Sequence, residues 1–255
     1  MTNHLAFFLL LFAVISCNNV KPTNHNSSQE KSLVLESTTL QRTQGNCTSP
    51  TPTNCAEISL KYPIVKEGLP SLQQNVTTWT NDFLISLLDP ELELDEETSL
   101  NSAVDGFMES FKEITAENPD MPSHFTVEVT DTILLQNDQY LTLRMDAFSY
   151  AGGAHPNTTA AIATFNVKTG KRIRPIDLVN DLEKLHAAAE QKFRETQKEA
   201  FDQGFDFDES WPFVIANNVG LTTEGLFFCY VPYEVTPYVM GFTEFVIPYT
   251  ELEKL

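Results

Sequence analysis

Within Ser149-Tyr-Ala-Gly-Gly-Ala-His-Pro-Asn-Thr-Thr159, His155 is the only histidine of the chain that sits in a motif. Paired with Ser149 or Asp146 it has the side-chain types of nucleophilic hydrolysis, in which an imidazole takes a hydroxyl proton and a carboxylate orients the ring. Those partners lie at the end of one strand, and no nucleophile-elbow or oxyanion pattern accompanies them. No residue is therefore assigned a catalytic role, and a hydrolase of peptidoglycan or an ester is only the alternative reading. Metal chemistry lacks its ligands, because there is no HExxH, HxxE or CxxC spacing. The acidic stretch Phe201-Asp-Gln-Gly-Phe-Asp-Phe-Asp-Glu-Ser-Trp211 has neither the ligand order nor the closing glutamate of a calcium loop. What remains is recognition. Adjacent glycines let a backbone adopt positive φ or lie against another group, so the stretch is either a shaped junction or a binding loop, with Tyr150, Gly152, Gly153 and His155 as its binding residues.

The elements that carry this loop begin after an apolar run. Leu5-Ala-Phe-Phe-Leu-Leu-Leu-Phe-Ala-Val-Ile-Ser16 is too short to span a bilayer as a helix and has the character of a signal-peptide core. It ends at Val14-Ile-Ser-Cys17, similar to the bacterial lipobox, whose cysteine becomes the lipidated first residue. The n-region Met1-Thr-Asn-His4 lacks Lys and Arg, which leaves an ordinary secretory signal as the other reading. Lipidation at Cys17 implies a membrane partner through a lipid anchor and an extracytoplasmic place in the cell envelope.

Removal of residues 1–16 leaves 239 of the 255 residues and all of the formal charge of −19, since the removed part contains no Asp, Glu, Lys or Arg. That charge disfavours nucleic acid and favours basic partners. In an oxidising compartment Cys47 and Cys55, eight positions apart, are expected to form a disulfide, stabilising by about 2–3 kcal/mol through loop closure. Cys229, inside Leu226-Phe-Phe-Cys-Tyr-Val231, reads as a free thiol in a buried strand.

Residues 17–54, poor in large apolar groups, are expected to form a flexible stalk. Order is expected from Glu57-Ile-Ser-Leu-Lys-Tyr-Pro-Ile-Val65, a strand whose Pro63 marks an end or an edge. Leu72, Val76, Trp79, Phe83 and Leu87 predict a helix started by Pro70, and Leu100, Val104, Phe107, Met108, Phe111 and Ile114 predict a second. No polar group interrupts these stripes, so they are core and imply no cofactor. The six acids in Asp89-Pro-Glu-Leu-Glu-Leu-Asp-Glu-Glu97 make a solvated turn between the helices. Two alternating segments, 125–135 and 140–149, predict a hairpin with one wet face on which Arg144 and Asp146 pair to little effect. After the glycine loop come a hairpin around Lys168-Thr-Gly-Lys171, a helix capped by Asp177, strands at Phe213–Ile215 and Leu226–Val231, and a strand leading to a short C-terminal helix. The fold class is α+β: antiparallel sheets packed with a few helices, two small domains in tandem at 55–149 and 150–255.

Tyr150-Ala-Gly-Gly-Ala-His155, Phe165-Asn-Val-Lys-Thr-Gly-Lys171, Asp177-Leu178, Leu221-Thr-Thr-Glu-Gly-Leu226, Val231-Pro-Tyr-Glu234 and Ile247-Pro-Tyr249 occur together. In combination they resemble the C-terminal domain of unknown function of the RsiV-like anti-sigma factors, membrane proteins that sense lysozyme. Lys61-Tyr-Pro-Ile-Val65 and the helix after it resemble the PdaC-type domain, the non-catalytic N-terminal part of certain peptidoglycan deacetylases. The resemblance spans about residues 56–255 and implies an α+β fold, an envelope location and, by analogy with the anti-sigma factor, lysozyme or another basic protein as partner. Neither an anti-sigma segment nor a deacetylase domain is present, so neither activity carries over. A structural envelope lipoprotein without a small ligand is a further alternative.

Overall fold

A computed structural model describes residues 32–48, 53–90, 98–118, 123–205 and 210–254. The signal run and Cys17 lie outside the described residues, as do 91–97 of the acidic turn and 206–209 of the second acidic stretch. Among the described residues no helix is long and apolar enough to cross a membrane.

Six strands form the larger sheet in sequence order: β1 (Val34–Asn46), β2 (Thr53–Glu67), β3 (His124–Gln136), β4 (Tyr140–Ala151), β5 (Asn157–Asn166) and β6 (Arg172–Ile173). All neighbours are antiparallel except β2 and β3, which run parallel. That pairing requires a crossover, supplied by α1 (Pro70–Leu88) and α2 (Leu100–Glu117). Pro70 at the first turn of α1 and Ser99 as cap of α2, accepting from the Ser102 amide at 3.1 Å, start the two helices. Both lie on one face of the sheet. There Val76, Trp79, Leu84, Val104, Phe107 and Phe111 meet Ile58, Leu60, Val127, Val129, Leu141, Leu143 and Met145. Pro63 sits on β2 beyond Leu60, where pairing to β3 has already stopped, so its missing N–H breaks no ladder.

The C-terminal part contains a 3-10 turn (Pro175–Leu178), α3 (Leu182–Thr196), α4 (Lys198–Asp202), β7 (Asn218–Leu221), β8 (Gly225–Tyr230), β9 (Thr243–Pro248) and α5 (Tyr249–Leu252). Strands β7, β8 and β9 form an antiparallel sheet of three. Alternation splits β8. Leu226, Phe228 and Tyr230 pack with Leu185, Ala189 and Phe193 of α3, while Phe227 and Cys229 join Ala160 and Ile162 of β5. The order of layers is therefore helices, six-stranded sheet, three-stranded sheet, helix. The protein is α+β in two domains, with the antiparallel pattern interrupted once.

Four expectations about elements and boundaries change. The stalk assigned to 17–54 does not hold over Val34–Asn46, which is β1, paired along its length with β2. Its Thr, Gln and Ser are tolerated because an edge strand gains order from backbone pairing, with only Leu35 and Leu40 resting on the core. The boundary at 149/150 does not separate two sheets, since β4 and β5 pair from Tyr140–Asn166 to Ser149–Asn157 and the glycine stretch is the loop of their hairpin. The cap of α3 is Asp181, whose carboxylate accepts from the Lys184 amide at 3.0 Å, because Asp177 is spent in the preceding 3-10 turn. Phe213–Ile215 is no strand but an irregular segment leading to β7.

Candidate functional site: the glycine loop and its aromatic partner

The loop after β4 is fixed by its own groups. Gly152 and Gly153 take φ of 77° and 127°, and the hydroxyl of Tyr150 donates to the Gly153 carbonyl at 3.1 Å. Nδ1 of His155 lies 2.7 Å from the carbonyl oxygen of Pro156, so that nitrogen carries the proton and donates. The same carbonyl accepts from the hydroxyl of Tyr238 at 2.7 Å, across 82 positions of sequence. The rings of His155 and Tyr238 meet at a tilt of 32° with centroids 4.5 Å apart, and the Tyr233 ring lies 5.7 Å from that of Tyr238. The four candidate residues Tyr150, Gly152, Gly153 and His155 are thus brought together, and a second segment, 231–241, completes the surface.

That second segment is built by a carboxylate. Glu234 accepts from the amides of Asn217 at 2.7 Å and Val231 at 3.1 Å, closing a turn in which Tyr233 takes φ of 73°. Left-handed φ is uncommon for a residue with a Cβ and is held only by surrounding structure. Here it leaves the Tyr233 ring 53 % exposed, in the same segment as Val239 at 87 %. Burial pushes the Glu234 carboxyl above the ordinary value of 4.5, against the opposing pull of its two amide donors. The folded state then holds the Glu234 proton more tightly than the unfolded chain does. Its contribution to stability is fully present below the unfolded value and is lost as pH rises through the folded one. Urea midpoints between about pH 4 and pH 7 are expected to fall with pH in the wild type and to lose this component in Glu234→Gln. Equal slopes in the two proteins would remove Glu234 as the cause.

Nothing in the local sequence points to Tyr233, Glu234 or Tyr238 as part of this surface. Two of them fall in Val231-Pro-Tyr-Glu234, but only the fold shows that this turn reaches the glycine loop. The hydrolytic set is not assembled. Ser149 and Asp146 are three positions apart on β4 and point to opposite faces of the sheet, and Asp146 is bonded to Arg144.

The face of β4 expected to be wet is covered by the smaller sheet. Arg144, its side chain 14 % exposed, donates to Asp146 at 2.6–2.9 Å and contacts Glu244 of β9 at 2.7 Å. Burial works against the guanidinium charge, but the hydrogen bonds of Asp146 and Glu244 more than offset it and raise the pKa above the ordinary arginine value. The pair is therefore an inter-sheet tie rather than a surface ion pair. Cys229 is buried beside it, with Sγ 3.4 Å from Glu244 Oε1. Burial first, and the Glu244 charge next, push its thiol up, which leaves it without thiolate character. Cys47 and Cys55 are bonded to each other, Sγ to Sγ at 2.09 Å. The grouping Cys47, Cys55 and Glu57 is consequently a bridge with a neighbouring carboxylate and not a ligand set.

A two-sheet α+β scaffold with an exposed loop surface at the sheet junction defines a class of domain pair rather than a reaction. Residues 50–158 match the family profile described as Deacetylase PdaC, and residues 176–250 match the one described as a protein of unknown function, DUF3298. The chain carries a PdaC domain followed by a DUF3298 domain. Its fold is shared with two solved structures. A DUF3298 family protein from Pseudomonas aeruginosa is 18 % identical at a TM-score of 0.63, with 88 % of this chain and 94 % of that one covered. A DUF3298 family member from Bacteroides fragilis is 17 % identical at 0.60, with 89 % and 94 % covered. No curated protein matches the chain.

Proposed function

We propose that the protein is a membrane-tethered, extracytoplasmic binding module whose glycine loop and 231–241 turn meet a cationic envelope protein, with lysozyme as the candidate. The observation that carries this reading is the row of exposed His155, half-buried Tyr238 and exposed Tyr233, held rigid by the shared Pro156 carbonyl and the Glu234 turn. Rigid aromatic side chains give large contact area at low entropic cost. The net charge of −19 gives long-range attraction for a basic partner. Tethering rests on the apolar run ending at Cys17.

Titration with lysozyme at low and at physiological salt tests it. Binding is expected at both, weakened about tenfold or more by Tyr238→Ala. Failure to bind at low salt overturns the proposal, and binding that vanishes at physiological salt reduces it to charge attraction without a site.

A further inference from the structure

In a chain of net charge −19, Lys168, Lys171, Arg172 and Arg174 stand within seven positions and with no acid among them, a quarter of the sixteen lysines and arginines. This basic hairpin, β5 to β6, is rigid. Asn166 Oδ1 accepts from the amides of Lys168 and Thr169, both at 3.0 Å, and the turn is bolted to the start of α1. There Ser71 Oγ donates to the Thr169 carbonyl at 3.1 Å and Asn75 Nδ2 to the Gly170 carbonyl at 2.8 Å. Burial and Asp82 act on Arg172, and Arg174 lies 3.7 Å from Asp177. Lys168 and Lys171, both exposed, are in no ion pair among the described residues.

The backbone beside these cations is open. Strand β6 ends the six-stranded sheet. Ile173 opposes Thr164, and the Asn166 amide donates to the Lys171 carbonyl, so residues 171 and 173 turn their polar groups toward β5. By alternation the N–H and C=O of Arg172 face outward. The neighbouring length of β5 is closed differently. The side chain of Asn218 accepts from the Ile162 amide at 2.9 Å and donates to the Ala160 carbonyl at 3.2 Å, taking the place of a strand. Next to the open edge lies a cleft of about 660 Å³ whose lining combines the aliphatic side chains of Ile162, Ile173, Ile176 and Ile215 with Arg172 and Arg174. Leu178 and Val214 stand near it on the flanking segments, 52 % and 45 % exposed. A strand-adding peptide draws affinity from the backbone and specificity from pockets for alternate side chains.

We propose that the β6 edge takes an extended acidic segment of another protein by strand addition. Its aliphatic side chains enter the isoleucine cleft, and its carboxylates meet Lys168 and Lys171. The occupant is a peptide rather than a lipid surface because the apolar part is a recessed cleft bordered by unpaired backbone, which a flat membrane does not fill. The site is distinct from the glycine-loop surface and does not rest on the lysozyme reading.

The test is fluorescence anisotropy of the full chain with labelled nine-residue peptides. One alternates glutamate with isoleucine and valine, a second carries a central proline, a third replaces glutamate by lysine, and a fourth is a scramble without alternation. The alternating acidic peptide is expected to bind. The other three, and the double variant Lys168→Glu with Lys171→Glu, are expected to weaken binding about tenfold or more. The variant's thermal melt should be unchanged, since both side chains are exposed. Equal binding of the proline or scrambled peptide overturns strand addition in favour of charge alone. Absence of binding by the alternating peptide overturns the proposal outright, and so does preferential binding to phosphatidylglycerol vesicles over that peptide.

Discussion

Gly170→Val is expected to destabilise the protein by about 3 kcal/mol or more, read as a lowered urea midpoint at unchanged slope. Gly170 has φ of 72°, and a Cβ there would stand 2.3 Å from Ser71 Oγ, 2.5 Å from the Leu72 nitrogen and 2.7 Å from the Ser71 carbonyl carbon. Two of those atoms are backbone of the first turn of α1 and cannot rotate aside. Left-handed strain adds about 1–2 kcal/mol to the overpacking. Relief would require the turn to lift from α1, surrendering the bonds from Ser71 and Asn75. A wild-type midpoint would mean that the turn is not seated on the helix.

Asn218→Leu is expected to cost about 2–4 kcal/mol, because a side chain of similar volume leaves the Ile162 amide and the Ala160 carbonyl without their partners. Hydrogen exchange locates the effect. The Ile162 amide should lose protection by about tenfold or more relative to amides of β3. Asn218→Asp should fall between, since a carboxylate still accepts from Ile162 but meets the Ala160 carbonyl with a second acceptor. If the leucine variant left both stability and exchange untouched, water rather than the Asn218 amide would be satisfying those two groups. Together with Gly220, where a Cβ would lie 2.8 Å from Thr142 Cγ2 and 2.9 Å from Ile162 Cγ2, Asn218 sets how closely β7 rests on the larger sheet.

The two long helices and the hairpin β3–β4 are legible in the sequence because their apolar periods are determined by one buried face. Strand β1 is not, since its burial pattern contains no buried position and its Thr-Thr-Leu-Gln-Arg-Thr-Gln is compositionally that of a linker. The polar row Thr142, Arg144 and Asp146 reads as solvent-facing because a row covered by another sheet, and tied to it through Arg144 and Glu244, has the same alternation as a row facing water. Sequence also places His155 in the loop that follows β4. It cannot show that the partner of that loop is Tyr238, because a contact across 82 positions leaves no trace in local spacing. The cap of α3 lies four residues beyond its expected place for a local reason: Pro175 starts a 3-10 turn that ends before the helix begins.

The antiparallel pairing of β1 with β2, closed at one end by the Cys47–Cys55 bond, has a mechanical meaning. A pull on the N-terminal side of the chain loads the pairs from Val34 onward one after another, as a zipper opens, and each yields at low force. Once β1 has peeled away, tension reaches Cys47 and passes through the sulfur bridge straight into the start of β2, so the intervening residues carry none of it. The same cysteines then act as a fuse in reverse: they set how far the protein can be drawn out before the helices of the core feel any strain.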